Sequence, residues 1–206
     1  MIIICAAHPD DEVLGAGATI AKLAREEEVV SITFSYGQNW PFWKDKEEVK
    51  RMRRKEARKA ARILGIKEEH FLGLRDGKIE EDFTPDVMKR LKEIFEEKKP
   101  DKVFYHSSFD GHKDHLAVNS IMDRFLKMIK YEGEVYKFEI NLWNWFNLMP
   151  FKIFDVSDTF RQKLKALDVF SSQWVWVAPL KYIMTVKAMY YGRKIGAKYG
   201  ESFYLT

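Results

Sequence analysis

Ionisable side chains occur in two clusters, and each cluster follows a short, mostly apolar run. The first run covers residues 2–7 and is followed by His8, Asp10, Asp11 and Glu12. The second run covers residues 103–106 and is followed, a few positions later, by His112, Asp114 and His115. Histidine and aspartate without cysteine suit a catalytic zinc ion that keeps one position open for water. The sequence therefore predicts a hydrolytic metal site built from both clusters.

Helix capping is the alternative explanation for the aspartates in these clusters. Asp10, Asp11 and Asp114 all fit the preference for aspartate at a helix N-terminus. Capping does not explain the histidines, however, and it does not explain two adjacent carboxylates, whose mutual repulsion needs a cation to offset it. Taken together, the residues favour a metal site.

The first cluster lies where a buried strand should turn into a helix. Residues 2–7 are small or apolar throughout, which is typical of a strand that is buried on both faces. Pro9 lacks an N–H group and disfavours helical backbone at His8, so the chain must turn there. Ligands of open α/β sheets bind at this carboxyl end of the strands.

Strands and helices alternate along the rest of the chain. Strands are predicted at residues 2–7, 29–36, 70–74, 103–106, 134–145 and 152–156, and helices at 14–27, 45–64, 84–100, 116–130 and 159–170. Beyond residue 170 we expect a helix and an irregular aromatic tail. The alternation predicts one α/β, Rossmann-like domain over residues 1–206, with a mainly parallel sheet flanked by helices and the active site at the carboxyl ends of the strands.

Composition restricts partners and compartment only loosely. The 35 Lys and Arg residues are interspersed with 31 Asp and Glu residues, so the net charge of +4 indicates no particular partner. The single cysteine, Cys5, excludes an intramolecular disulfide and fits a reducing, cytoplasmic compartment. No apolar run approaches the roughly 20 residues of a membrane span, so we expect no membrane insertion. The sequence leaves a homo-oligomer possible. The high Lys and Glu content fits a heat-stable protein.

The two clusters resemble the motifs of the LmbE-like, or PIG-L, family of zinc-dependent N-acetylglucosaminyl deacetylases. The resemblance rests on A-H-P-D-D-E at residues 7–12 and H-K-D-H at residues 112–115, and it extends to residues 53–57, 63–65 and 71–77. It therefore covers at least residues 1–120. It implies a Zn²⁺ cofactor and a small amino-sugar substrate whose acetamide is hydrolysed to acetate and free amine.

The resemblance also implies a role for each residue of the clusters. His8, Asp11 and His115 would ligate zinc, and Asp10 would act as general base. His112, oriented by Asp114, would stabilise the oxyanion or protonate the leaving amine. A zinc-bound water with a pKa near ~7 and an adjacent carboxylate are chemically suited to this reaction.

Further residues match positions that this family uses for the substrate. Arg53 and Asp76 would hold sugar hydroxyls, although a solvated helix face and an Asp-Gly turn explain them nearly as well. Trp40 and Trp43 could stack on a sugar ring or pack as a lid. Gln38 stands where the family often has an acidic residue.

Three other functions remain open on the sequence alone. A zinc-dependent deacylase of another small amide or ester would use the same residues. The basic run at residues 50–59 could bind nucleic acid, but Glu47, Glu48 and Glu56 lie among its cations, so a solvated face is favoured and we expect no nucleic-acid partner. A nucleotide site at Gly15-Ala16-Gly17 is disfavoured because the preceding acids would repel a phosphate.

Overall fold

The computed structural model describes residues 1–140 and 151–205. Within these residues, seven strands and seven α-helices follow one another along the chain. The order is β1 (Ile2–Ala6), α1 (Asp11–Leu23), β2 (Val29–Ser35), α2 (Lys46–Leu64), β3 (Glu68–Leu74), α3 (Ile79–Asp82), α4 (Pro85–Lys98), β4 (Lys102–His106), α5 (Lys113–Met128), β5 (Glu134–Phe138), β6 (Phe151–Asp155), α6 (Phe160–Leu167), α7 (Trp174–Lys194) and β7 (Gly200–Leu205). A 3₁₀ turn at Ser171–Gln173 precedes α7.

The strands form one sheet in the order β3-β2-β1-β4-β5-β7-β6. Strands β1 to β5 pair in parallel, and β7 is antiparallel to both β5 and β6. The predicted single α/β domain with a mainly parallel sheet is therefore confirmed. The strand order reverses between β1 and β4, so the segments that follow these two neighbouring strands meet at a topological switch point.

Helices cover both faces of the sheet, and the central strand β1 is accordingly apolar on both of its faces. Ile2 and Ile4 pack with α1, α2, α6 and α7, whereas Ile3 and Cys5 pack with α4 and α5. All five residues of β1 are buried, as the apolar run at residues 2–7 predicts. The central strand is thereby held rigidly, and it presents His8 to Asp11 at its carboxyl end.

Helix starts and the C-terminal tail differ from the sequence expectations. Helices α1 and α5 begin at Asp11 and Lys113, three residues earlier than predicted, so both clusters extend into first helical turns. Residues 200–205 form β7 rather than an irregular tail. They form a strand because β5 and β6 provide partners on both sides, and local sequence does not encode this pairing. The predicted strand at 134–145 ends at Phe138, and positions 141–145 lie outside the described residues.

No helix in the described ranges has the length and apolar character needed to cross a bilayer.

Gly15 lies inside α1 and allows the helix to approach β5 closely. A Cβ atom at this position would lie 2.1 Å from Cδ2 of Phe138, which is fully buried. Gly17 also lies inside α1, beside Lys163 and Val13. These glycines therefore belong to helix packing and not to a phosphate-binding loop.

Gly15→Ala should destabilise the protein although alanine favours helix. Forcing a methyl group into the packed contact costs roughly 1–3 kcal/mol, and the helix gain returns about 1 kcal/mol at most. We expect the thermal midpoint to fall by several degrees. Gly17→Ala is the matched control, because its Cβ would meet its nearest neighbours at 3.2 Å. Equal midpoints for the two variants would contradict the close-packing role of Gly15.

Candidate active site

A strained turn between β1 and α1 places the two adjacent aspartates. Asp10 has φ 118° and ψ −29°, a left-handed conformation that is costly for any residue with a Cβ. Its N–H donates to Oε2 of Glu12 at 3.2 Å, and its carbonyl accepts from the N–H groups of Val13 and Leu14. The turn directs the two side chains differently, so Asp10 and Asp11 have separate partners.

The predicted metal ligands converge on one point. Oδ2 of Asp11 lies 3.3 Å from Nδ1 of His8 and 3.3 Å from Nε2 of His115. His8 and His115 form one candidate metal-binding group with His112, and Asp11 and His115 form another with His106; within each group the candidate ligand atoms all lie within 4.8 Å of one another. Bonds of about 2.0–2.2 Å in a tetrahedron separate neighbouring donor atoms by about 3.3–3.6 Å. The two separations at Asp11 therefore match those in a tetrahedral site, and His106 and His112 lie close enough to be further candidate donors.

The outer nitrogen of each histidine faces a carboxylate. Nε2 of His8 lies 3.0 Å from Oδ2 of Asp114 and 3.3 Å from Oδ1 of Asp76, and Nδ1 of His115 lies 3.0 Å from Oδ1 of Asp110. Carboxylates in this position typically orient metal-binding imidazoles and raise their basicity. Sequence reasoning missed Asp110, whose only signal is its place in the polar segment between β4 and α5.

Asp114 contacts His112 through its backbone N–H group, whereas its carboxylate faces His8. Its Oδ2 accepts from the N–H of Gly77 at 2.7 Å and contacts His8, while its Oδ1 has no partner among the described residues. Nδ1 of His112 instead accepts from the backbone N–H of Asp114 at 3.3 Å. Because Nδ1 is the acceptor, the proton of a neutral His112 lies on Nε2. The ring of His112 lies 5.2 Å from that of His8 and 4.6 Å from that of His115.

Arg53 lies beneath Asp10 and joins two loops of the site. Its side chain is only 4% exposed, so the alternative of a solvated helix face is wrong. Nη2 lies 3.2 Å from Oδ2 of Asp10 and also donates to the carbonyl of Pro9, and Nη1 donates to the carbonyl of Gly37. The guanidinium therefore fixes the Asp10 carboxylate beside the candidate metal ligands.

Burial and neighbouring charges shift the pKa values of Asp10 and Asp11 in opposite directions. Burial raises the pKa of Asp10 to about 7, against the attraction of Arg53 and with the repulsion of Asp11. At Asp11 the effect of burial is outweighed by the charge of His115 and the surrounding imidazoles, which hold its pKa well below the usual range. Asp10 is thus the member of the pair that can take up a proton near neutral pH, as a general base must.

The histidines also differ from one another. Burial lowers the pKa of His115, but Asp11 and Asp110 outweigh it and raise the pKa to about 9. At His112, burial and the positive charges of His115 and His8 lower the pKa. His115 and His112 are thus electrostatically distinct, although they lie three residues apart in one helical turn.

His106 is a second site residue that sequence reasoning missed. It is fully buried at the end of β4, and its ring stacks on that of His115 with centroids 4.1 Å apart. Nε2 accepts from the N–H of Ala7 at 3.1 Å and lies 3.4 Å from Oδ2 of Asp11, and Nδ1 has no partner among the described residues. Burial and the charge of His115 lower its pKa to about 4. A neutral imidazole is thereby packed against Asp11 and His115, with which it forms a candidate metal-binding group.

Asp76 and Trp40 lie at the rim of the site. Oδ2 of Asp76 accepts from the N–H of Asn39 at 3.0 Å, while its Oδ1 faces His8. Trp40 follows Asn39 directly and contacts the rings of Phe42, Trp43 and Trp176. The structure thus brings all the predicted site residues to one region, with Trp40 at its edge.

The exposed face of α2 lies apart from this site. Six cations line a groove there: Arg51, Arg54, Lys55, Arg58, Lys59 and Arg62. Glu56 is buried and accepts from Ser171 and Ser172, and Glu47 and Glu48 pair with Lys50 and Lys44. These three acids therefore do not neutralise the groove, although their positions in the sequence argued against a nucleic-acid-binding surface.

The chain is similar in sequence to known deacetylases. The chain is 27% identical to a diacetylchitobiose deacetylase of Thermococcus kodakarensis, over 94% of this chain and 78% of that protein. It is 26% identical to a probable N-acetyl-alpha-D-glucosaminyl L-malate deacetylase 2 of Bacillus cereus, over 84% and 83% of the two chains.

Solved structures share the fold over the whole chain. An N,N'-diacetylchitobiose deacetylase from Pyrococcus horikoshii, complexed with its inhibitor MPG, superposes with a TM-score of 0.81 at 27% identity and covers 100% of this chain and 83% of its own. The 4-carboxy-2-hydroxymuconate hydratase GalB of Pseudomonas putida has the same fold, with a TM-score of 0.87 at 22% identity, over 100% and 95% of the two chains. The family model described as GlcNAc-PI de-N-acetylase matches residues 3–126, and the chain belongs to this PIG-L family.

Proposed function

We propose that the protein hydrolyses the acetamide of an N-acetylglucosamine-type sugar or glycoconjugate, releasing acetate and the free amine. The observation that carries the proposal is the convergence of His8, Asp11 and His115 beside Asp10, in a member of the PIG-L family. The names of the relatives support the substrate class, since they describe deacetylases of N-acetylglucosaminyl compounds.

We further propose that Zn²⁺ is held by His8, Asp11 and His115. Two imidazole nitrogens and one carboxylate oxygen are a donor set that zinc enzymes use, with the fourth position open. Bound zinc would lower the pKa of a water molecule and polarise the amide carbonyl. Asp110 and Asp114 would orient the two imidazoles from outside.

The remaining residues supply proton transfer and orientation. Asp10 would take the proton of the attacking water, and Arg53 would hold its carboxylate in place. Neutral His112 would donate a hydrogen bond from Nε2–H to the developing oxyanion, or His112 in its imidazolium form would give a proton to the leaving amine, which leaves poorly when unprotonated. Asp114 therefore contributes by positioning His8. Asp76 and Trp40 would contact the sugar at the rim. Arg53 would reach a sugar hydroxyl only where that hydroxyl lies next to Asp10.

A deacylase of a different small amide or ester is the alternative. The fold alone does not choose between them, because GalB has the same architecture and is a hydratase. Acetate release from a panel of N-acetylated sugars, acetylated amines and acetate esters separates the two. Hydrolysis confined to non-sugar substrates would contradict the proposal.

We also propose a small molecule as the partner and the cytoplasm as the compartment. The free thiol of Cys5 is buried in the core, which fits a reducing compartment. A nucleic-acid partner is tested by heparin chromatography, where retention that falls steeply with salt would favour the basic groove of α2 as a binding surface.

His112→Ala should keep the metal and lose turnover by roughly 10²- to 10⁴-fold, the usual contribution of a positioned acid or base. His115→Ala should lose the metal itself, because its Nε2 is one of the three converging donors. Elemental analysis and acetate release on both variants check this division. Equal loss of metal from the two variants would mean that His112 is also a ligand, a role that its place beside His8 and His115 allows.

A further inference from the structure

The basic groove of α2 places like charges one helical turn apart. Its six exposed cations form two rows of i, i+4 neighbours: Arg51, Lys55 and Lys59 in the first row, and Arg54, Arg58 and Arg62 in the second. Like charges at this spacing repel each other and destabilise a helix. The two rows therefore weaken α2 unless an anion binds between them.

Helix α4 shows the opposite charge pattern. Lys89 lies 4.0 Å from Glu93, and Lys92 lies 3.4 Å from Glu96, so the i, i+4 neighbours of this helix attract each other. Both helices expose one side to solvent. Exposure alone therefore does not explain why α2 carries like charges at the same spacing.

None of the six cations forms an ion pair within the described residues. The ion pairs of α2 instead use Lys50 and Arg53. Glu69 of β3 is the nearby acid, and its partly buried carboxylate interacts electrostatically with the second row. The formal net charge of the chain is +4, so without these six cations it would be −2. The excess positive charge of the chain therefore lies at this groove.

The length of the groove fits a linear polyanion. At about 1.5 Å per residue, the rows extend about 16 Å along the helix axis from Arg51 to Arg62. A duplex nucleic acid has one phosphate about every 3.4 Å along each strand, so about five phosphates of one strand span this length. Arginine supplies four of the six cations, and its guanidinium binds phosphate through two parallel hydrogen bonds.

The lining of the groove favours a duplex over other polyanionic surfaces. The groove measures about 410 Å³, and among the described residues its walls are formed by the six cations alone. A peripheral membrane site combines cations with apolar side chains that enter the lipid. A site for single strands combines cations with aromatic rings on which bases stack. A lining of cations alone provides contacts to phosphates only.

We propose that the basic groove of α2 binds the phosphate backbone of a double-stranded nucleic acid without reading its sequence. The nucleic acid is a second partner beside the small-molecule substrate. The groove lies on the side of α2 opposite Arg53, which contacts Asp10, so a bound duplex leaves the candidate active site open. The sequence favoured a solvated face because of three acids, but the structure pairs two of them with lysines and buries the third.

The test measures binding of a short fluorescent DNA duplex by anisotropy at several salt concentrations. Lys55→Gln combined with Lys59→Gln removes two phosphate contacts. The slope of log K against log [salt] should therefore become less negative by about two, and the affinity at about 50 mM salt should fall roughly tenfold. Lys89→Gln combined with Lys92→Gln is the matched control, because it removes the same charge from two exposed lysines of α4 and should retain the original slope.

Thermal unfolding without DNA provides a second readout. The double variant at Lys55 and Lys59 should raise the thermal midpoint, because it removes the repulsion within the first row. The control variant at Lys89 and Lys92 should lower the midpoint or leave it unchanged, because it removes attractive pairs. A lower midpoint for the α2 variant would show that its lysines stabilise the helix, which contradicts the proposal.

Several binding results would overturn the proposal. Equal losses of DNA affinity in the two double variants would show that net charge matters and the position on α2 does not. A slope near zero would exclude phosphate contacts, and tighter binding of the single strand than of the duplex would exclude a duplex site. Cosedimentation with phosphatidylcholine vesicles that contain phosphatidylserine, lost in the α2 variant and without DNA binding, would assign the groove to a membrane surface.

Discussion

Treatment with a chelator should abolish acetate release, and added Zn²⁺ should restore it. His8, Asp11 and His115 are the proposed donors, with Oδ2 of Asp11 lying 3.3 Å from each histidine, and Asp10 and His112 alone provide no strong electrophile for an amide. Purified protein should contain about one zinc per chain, as expected for a catalytic site with three protein ligands. Elemental analysis together with the acetate assay checks both statements.

A stability measurement provides a second readout of the same site. An ion that binds the folded protein alone raises the thermal midpoint, so zinc should raise the midpoint of chelated protein. His115→Ala should show little of this increase because one donor is missing. Phe42→Ala should show the full increase. Full activity in protein that elemental analysis shows to be free of metal would contradict the proposed chemistry.

Asp10→Asn should retain zinc and lose turnover by at least ~10², because asparagine keeps the shape of the side chain and removes the basic oxygen. The contact with Arg53 and the backbone bonds of the turn can persist, since they involve groups that asparagine also offers or leaves unchanged. Asp11→Asn should instead weaken metal binding, because Oδ2 of Asp11 faces both His8 and His115. The opposite pattern, with metal lost from Asp10→Asn and kept in Asp11→Asn, would mean that Asp10 is the ligand and Asp11 is the base.

The pH profile gives a further check on Asp10. A general base must be unprotonated, so activity should fall as the pH drops through the pKa of Asp10. Burial raises this pKa to about 7 in the metal-free site, and a bound cation would lower it. The acidic limb of kcat/KM should therefore lie at or below about pH 7 and report Asp10 and the zinc-bound water together. In Asp10→Asn this limb should shift or disappear with most of the rate.

Local sequence patterns were sufficient for the architecture, and they selected candidate site residues that the fold brings together. The apolar run at residues 2–7 predicted a buried strand because a strand covered on both faces needs no polar positions. Pro9 and the charged residues after it predicted a turn into a helix. The alternation of strands and helices predicted a mainly parallel sheet, and parallel strands place their carboxyl ends at one edge. His8, Asp10, Asp11, His112 and His115 were therefore chosen as candidate site residues from their types and spacing, and the roles that the family resemblance implies for them stay predictions.

Tertiary structure alone decided which groups touch. Strand order makes β1 and β4 neighbours, and only this pairing brings His106 against His115 and Asp11. The fold also directs Arg53 inward to Asp10, places the carboxylate of Asp114 against His8, and pairs Gly200–Leu205 with the sheet. These contacts join residues that are far apart in the chain. They depend on packing between elements, and no local periodicity records which side of a helix or strand will meet a distant partner.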